Sequence, residues 1–298
     1  MKFSTCFLTI LTPTYNRKHT LPQLYKSLCA QICFNFQWLI IDDGSTDGTE
    51  AYIRSLKQES FAIDYYKKDN GGKHTALNFS HPYIKGELVA IVDSDDTLLS
   101  QATQIIEQDW LLYKQNSHIG GLSYQRQFPN GTLISMSAPK DTYISDHIHY
   151  RINQQIHGDQ FEVIRSSIFQ SYQFPIFSNE HFLTEIGLWM FVAKSYQMVY
   201  RNLALYQGAY LQDGLTHNVD SLLARNPLGT FEYYKAFFCP PVNMLVQLRM
   251  MCACWRFGIR IKWSLKKIAN HTGRPFYMWL VFPLAVLLYF YKGDYKKI

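Results

Sequence analysis

Short apolar runs alternate with stretches of helical period through the first 115 residues. Residues 7–11, 36–41 and 61–67, and a fourth run inside 86–97, are rich in β-branched or aromatic side chains. Each stops at a polar turn, which predicts buried strands. Between them, Leu21, Leu24, Tyr25 and Leu28 mark a helix over 21–30, and helices are predicted over 50–58 and 100–115. Thr20 is placed to cap the first, and Thr46 or Asp47 the second. Gly71-Gly72 opens a further helix after the third strand. The order βαβαβαβ with short linkers predicts a mostly parallel sheet flanked by helices on right-handed crossovers.

Past residue 115 the pattern is less regular. Strands are predicted at 119–124 and 132–135 around an Asn130-Gly131 hairpin turn, and at 158–165. A helix is predicted at 186–195. Pro240 and Pro241 then break the chain. A helix over 242–257 follows, and an apolar, aromatic-rich segment over 276–291 is interrupted by Pro283. No run reaches the roughly 18 apolar residues of a spanning helix. Residues 3–12 superficially resemble a signal-peptide core, but Ser4, Thr5 and Thr9 break the run, so it reads as a strand.

Composition adds three constraints. The 298 residues are 47% hydrophobic, enough for one large or two modest domains with a real core. Of the 29 Lys/Arg and 23 Asp/Glu, ten and one fall in 243–298, leaving 19 against 22 in the body. A neutral-to-acidic body with a basic tail suggests contact with an anionic surface. The six cysteines lack zinc-site spacing and a secretory context, so they are expected to be reduced thiols in the cytoplasm.

The chemistry concentrates where strands stop. The run in 86–97 ends in Asp93-Ser94-Asp95-Asp96. Alternation along an extended chain would point Asp93 and Asp95 the same way, toward a hard divalent cation that grips phosphate oxygens. The competing interpretation is a solvated acidic turn capping the next helix. The second strand ends in Asp42-Asp43-Gly44-Ser45-Thr46-Asp47, where a carboxylate can accept the imide N–H of a uracil ring. Asn70-Gly71-Gly72-Lys73 offers loop N–H groups and a point charge to a diphosphate.

Taken together, Leu11-Thr12-Pro13-Thr14-Tyr15-Asn16-Arg17, Ile40-Ile41-Asp42-Asp43-Gly44-Ser45-Thr46-Asp47 and Asp93-Ser94-Asp95-Asp96 resemble glycosyltransferase family 2. These are inverting enzymes of GT-A fold that use nucleotide sugars, here most similar to a bacterial polysaccharide-type subgroup. The resemblance implies that Pro13 and Tyr15 flank the base and that Asp43, with Asp42 beside it, contacts the nucleotide. Asp93 and Asp95 would be the D-x-D pair, with Asp95 the principal ligand of Mg²⁺ or Mn²⁺. Lys73 and Asn78 match positions near the diphosphate. It also implies that Glu185, at the start of the 186–195 helix, is the general base, with Glu180 in reserve. Asp213-Gly214-Leu215-Thr216-His217 resembles the segment that closes the catalytic domain, and His217 could approach the metal or diphosphate. The chain then divides into a catalytic domain, 1–238, and a basic, apolar helical extension, 239–298. The catalytic domain has a nucleotide-binding half (1–115) and an acceptor-side half (116–238).

The expected reaction is transfer from a nucleotide-diphosphate sugar, UDP-linked, to a glycan or lipid-linked glycan. A sugar nucleotidyltransferase would need a glycine-rich, basic signature after the first strand, where Thr-Pro-Thr-Tyr-Asn stands instead. A non-catalytic nucleotide-binding scaffold on a membrane would have no use for Asp43, Asp95 and Glu185. In the extension, cations accompany Trp255, Trp263 and Trp279 beside apolar helices. That suits the headgroup layer of an anionic leaflet, placing the protein peripherally on the inner face of the membrane. Packing on the catalytic domain or in an oligomer is the competing reading. A nucleic-acid partner is not expected, because the cations sit among apolar runs.

Overall fold

The computed structural model describes residues 6–56, 60–208 and 219–291. β1 (Leu8–Thr14), β2 (Phe36–Asp42), β3 (Ala62–Lys67) and β4 (Leu88–Ile91) form in the expected order. They are separated by α1 (Leu21–Cys29), α2 (Thr49–Ser55) and α3 (Lys73–Ser80). β1 runs parallel to β2 on one side and β4 on the other, and β2 runs parallel to β3. β1 and β2 are buried along their whole length. Their alternate residues feed two different cores, as the two-residue period of a strand requires. Leu8, Ile10, Trp38 and Ile40 join the core closed by Leu24 and Leu28 of α1 and Trp110 of α4 (Ala102–Tyr113). Leu11, Leu39 and Ile41 join the core closed by Leu77 of α3, Ile168 of α5 (Ser166–Ser171) and Leu188 of α6 (Ile186–Ala193).

The sheet continues with β5 (Thr97–Leu98), β6 (Ile119–Gln127), β7 (Thr142–Ser145), β8 (Gln160–Arg165) and β9 (Gln197–Gln207). Its order is β3-β2-β1-β4-β8-β6-β9-β5, with β7 also on β9. β8 is antiparallel to both β4 and β6, whereas β6 and β9 are parallel. The carboxyl ends of β1, β2 and β4 therefore gather at one edge, where open α/β sheets bind ligands.

Several local expectations change. Thr12, Pro13 and Thr14 belong to β1 rather than to a loop after it. The pairing of β4 with β1 stops at Leu11, so Pro13, which has no N–H to give, falls where that neighbour is gone. The Thr20 hydroxyl bonds the Arg17 carbonyl instead of capping α1. Asp47 accepts from the Thr49 N–H at 3.0 Å and so supports the start of α2. The hairpin turn at Gly131 forms, but the returning arm makes a single bridge, Gln127 to Leu133, and no strand. β5, β7 and β9 have no counterpart among the expected elements.

Toward the C-terminus lie α7 (Val219–Arg225), α8 (Pro227–Ala236), α9 (Met244–Arg260), α10 (Leu265–His271) and α11 (Pro275–Tyr291). They share a third core. Phe231, Phe237 and Phe238, before position 239, meet Cys252, Trp255, Ile268 and Met278 after it, and Ile148 and Met190 of the body join them. The Trp255 indole N–H donates to the Met278 carbonyl at 2.8 Å, tying α9 to α11. α11 runs through Pro283 without breaking. It buries Met278, Val281, Ala285 and Tyr289, and turns Phe276, Leu280, Leu284 and Leu287 outward. Among the described residues no helix is long and apolar enough to cross a membrane.

Candidate active site

Asp93 to Asp96 form a turn, closed by the Asp96 N–H on the Asp93 carbonyl at 3.2 Å. The chain has left the strand there, so alternation does not orient these carboxylates; their partners do. The Tyr206 hydroxyl accepts from the Asp93 N–H at 3.2 Å and donates to Asp96 Oδ2 at 2.6 Å. Arg126 from β6 reaches the same Asp96 oxygen at 2.6 Å and lies over the Tyr206 ring. Burial pushes the Asp96 carboxyl up to about 6 against the pull of Arg126. Asp96 is thus committed to holding the turn. Asp93 bonds Lys73 Nζ at 2.6 Å, and although burial opposes it, Lys73 and Arg126 hold this carboxyl below the ordinary range. Asp95 has a looser partner, the guanidinium of Arg17 at 4.0 Å. Burial, then the charge of Asp93, raise its carboxyl.

Two neighbouring carboxylates, one of them raised by burial and then by its partner, are what a hard divalent cation relieves. Among the described residues no three His, Cys, Asp or Glu converge as a closed cage. The donor set therefore fits a cation on Asp95, with Asp93 near, completed by phosphate oxygens and water. His217 and its motif lie outside the described residues.

A cavity of about 520 Å³ opens on this turn, lined by Pro13, Tyr15, Arg17, Asp43, Lys73, Asp93 and Asp95 among others. Asp43 is almost fully buried in its wall. Its carboxylate accepts from Gly72 N–H at 2.7 Å, Gly71 N–H at 3.0 Å, Lys68 Nζ at 2.7 Å and Asn70 Nδ2 at 3.2 Å. One side chain therefore anchors the whole 70–72 loop. Gly72, at φ 93°, lies against the His181 carbonyl, where any Cβ would collide. Two expected nucleotide contacts are not brought here. Asp42 is fully buried, accepting from the Ser45 N–H at 2.7 Å and the Tyr65 hydroxyl at 2.6 Å, and it supports the turn from below. Asn78 exchanges two hydrogen bonds with the backbone of Phe174, at 2.8 and 2.9 Å, and lines neither cavity of the site.

A second cavity, of about 700 Å³, lies beside the first. Lys73, Asp93, Arg126, Asp159, Thr184 and Glu185 line both. At that junction Lys73 Nζ bonds Glu185 Oε1 at 2.9 Å as well as Asp93. Burial opposes a charged Lys73, but the two carboxylates hold it above the ordinary lysine range. Glu185 stands at the N-terminus of α6, yet its side chain makes no capping hydrogen bond, so its carboxylate faces the cavities. Glu180 is elsewhere. It is buried, and its two oxygens accept from the Leu228 and Gly229 N–H groups, each at 2.8 Å, at the first turn of α8. Its role is structural. Arg126 and Lys68 are not among the expected site residues, and the Asn70 side chain serves Asp43 rather than a diphosphate. Arg126 carries no local signal, since only the pairing of β6 brings it to the turn.

Residues 9–107 match the family model of Glycosyl transferase family 2. An uncharacterized glycosyltransferase of Mycoplasma pneumoniae is 35% identical over 108 residues, 35% of this chain and 36% of the relative. The chain thus spans about a third of that relative's length. A Campylobacter jejuni GalNAc(5)-diNAcBac-PP-undecaprenol beta-1,3-glucosyltransferase is 25% identical over 241 residues, 76% of this chain and 73% of the relative. An Escherichia coli UDP-Glc:alpha-D-GlcNAc-diphosphoundecaprenol beta-1,3-glucosyltransferase is 27% identical over 140 residues, 46% and 53% of the two chains. Among solved structures, S. aureus TarS in complex with UDP superposes with a TM-score of 0.59 at 17% identity, covering 89% of this chain and 77% of that one. The mannosyltransferase PcManGT of Pyrobaculum calidifontis, with GDP-Man and Mn²⁺, gives 0.57 at 16% identity over 99% and 83%. The fold is GT-A.

Proposed function

The chain carries a glycosyl transferase family 2 domain at residues 9–107, and on that premise we propose that it transfers a hexosyl or hexosaminyl unit from a UDP-sugar to a glycan or lipid-linked glycan, with inversion. The observation that carries the proposal is the junction at Lys73. Two cavities meet there, and the lysine ties a carboxylate of the acidic turn to the carboxylate of Glu185. The name of the Escherichia relative supports a UDP-linked donor, and the names of the Campylobacter and Escherichia relatives support a lipid-borne acceptor.

In this reading the uracil ring lies between Pro13 and Tyr15. Its imide N–H reaches Asp43, displacing the 3.2 Å contact of Asn70. Lys73 turns from the carboxylates to the diphosphate, where a fixed positive charge stabilises the developing negative charge of the leaving group. Asp95, with Asp93, would hold Mg²⁺ or Mn²⁺, which as a Lewis acid neutralises the same charge. Release of Lys73 frees Glu185, which takes the proton of the acceptor hydroxyl as it attacks the anomeric carbon in line. Inversion follows from a single displacement. The outer face of α11, beside seven Lys/Arg and no acid from 243 to 291, rests on the anionic inner leaflet.

The test is a panel of nucleotide sugars with Mn²⁺, reading thermal shift and nucleotide release. A UDP-sugar is expected to stabilise the protein and release UDP, and Asp95→Ala to abolish turnover. Full activity of Asp95→Ala would refute the metal assignment.

A further inference from the structure

The second cavity contains polar groups that the transfer reaction leaves unused. Three of its lining residues, Arg126, Arg151 and Thr184, each keep one buried atom, Nε, Nη1 and Oγ1 respectively, that has no hydrogen-bond partner among the described residues. Buried polar atoms are nearly always paired, so three unspent donors just behind one cavity wall leave hydrogen-bonding capacity that a small turn of these side chains would bring to the oxygen atoms of a ligand. Arg151 comes from a π-helical turn at Ile148–Asn153. Such turns recur at functional sites. Its other terminal nitrogen donates to the Gly158 carbonyl, which fixes the guanidinium. Glu162 lines the same cavity from β8, and burial pushes its carboxyl up to about 7 against the pull of Arg151 and Arg126. Trp189 of α6 and His147 stand together in the wall, ring centroids 6.2 Å apart. Burial, reinforced by Arg151, lowers the His147 pKa to about 3, so this wall is uncharged.

The C-terminal helices complete the wall. Val246, Arg249 and Met250 of α9 line the cavity. Arg249 Nη1 donates to Gln155 Oε1 at 2.9 Å, and the Asn243 N–H to Asn153 Oδ1 at 2.7 Å, so α9 braces the turn that carries Arg151.

We infer that this cavity is a saccharide clamp in which Arg151 and Glu162 select the acceptor, and Trp189 supplies its apolar wall. The inference rests on the transferase reading for its position beside Glu185. The ligand is a pyranose unit with neighbouring hydroxyls, one accepting from Arg151 and one bonded to the Glu162 carboxyl, with ring C–H groups against Trp189. A site built to bond a hydroxyl rejects the analogue that lacks it far more strongly than a merely apolar pocket can. Arg151 and Glu162 are therefore binding residues that set specificity, whereas Glu185 alone moves the proton.

The test uses the full chain with p-nitrophenyl glycosides of glucose, galactose, N-acetylglucosamine and N-acetylgalactosamine. Binding is followed by quenching of tryptophan fluorescence, and transfer by UDP release. At least one glycoside should quench the wild type, and Trp189→Phe should lose most of the quench. Glu162→Gln and Arg151→Lys should raise the KM for that glycoside at least tenfold, with UDP affinity by calorimetry within twofold of wild type and melting temperatures preserved. Unchanged KM in both variants, or an equal loss of UDP affinity, overturns the clamp. Quenching by a glycoside in a protein that binds no UDP would sink the transferase reading and leave the clamp standing. No quenching by any of the four overturns the clamp while UDP binding keeps the reading.

Discussion

Removing the ammonium of Lys73 should destabilise the fold and change the sign of what Glu185 contributes. In the folded protein Nζ lies 2.6 Å from Asp93 and 2.9 Å from Glu185, with the three side chains 32%, 34% and 29% exposed. Breaking a fully buried pair costs about 3–5 kcal/mol, whereas an exposed one is worth about 0.2–1 kcal/mol. A third exposed, the two contacts lie nearer the lower limit, so Lys73→Ala should cost about 1–2 kcal/mol. Glu185→Gln in the native background loses one contact and should cost about 0.5–1 kcal/mol. In the Lys73→Ala background the same change removes a charge that now only repels Asp93, and it should cost nothing or restore a few tenths. Urea unfolding of the four proteins, at constant slope, measures the cycle. A coupling of about 1 kcal/mol is expected. Losses that add to within about 0.3 kcal/mol would show that Lys73 does not join the two carboxylates in solution.

Two further outcomes follow from particular side chains. Leu280 and Leu287 are 63% and 68% exposed on the outer face of α11. Leu280→Glu with Leu287→Glu should keep the melting temperature but abolish flotation with vesicles containing phosphatidylglycerol, since seating each leucine is worth about 1.5–3 kcal/mol. Undiminished flotation would move the contact elsewhere, and a lipid-free dimer lost in the variant would assign the face to a second copy. Glu162, at about 7 when folded, binds a proton that the unfolded chain has released near pH 4 to 5. Its contribution is present in full below the unfolded pKa and is lost as pH rises through about 7. Between pH 5 and 8 the wild type should therefore lose melting temperature relative to Glu162→Gln; a parallel pair of curves would place that carboxyl in the ordinary range.

What could be read from the chain was what is local. The apolar run over 7–11 predicts a buried strand, and a run that stops in Asp93 and Asp95 predicts acids at a sheet edge. What could not be read was which polar atoms a side chain spends on its own fold. Asp42 and Asn78 sit in the right motifs yet bond Tyr65 and the Phe174 backbone. Glu180 resembles a catalytic acid only until α8 is placed on it. Arg126, Arg151 and Glu162 come from β6, a π-helical turn and β8, and only tertiary pairing brings them to one cavity. β9 shows why elements were missed. Its Gln-Met-Val-Tyr-Arg-Asn-Leu-Ala-Leu-Tyr-Gln has no clean two-residue period, because its pairing with β6 shifts register past Tyr124.

The centre of the proposed transfer is Glu185, the group that receives the acceptor proton. Glu185→Gln, titrated with UDP by calorimetry and assayed for transfer with Mn²⁺, is predicted to bind UDP as the wild type does while kcat falls by about 10²-fold or more. Transfer at the native rate, or a loss of UDP affinity that matches the loss of rate, would contradict it.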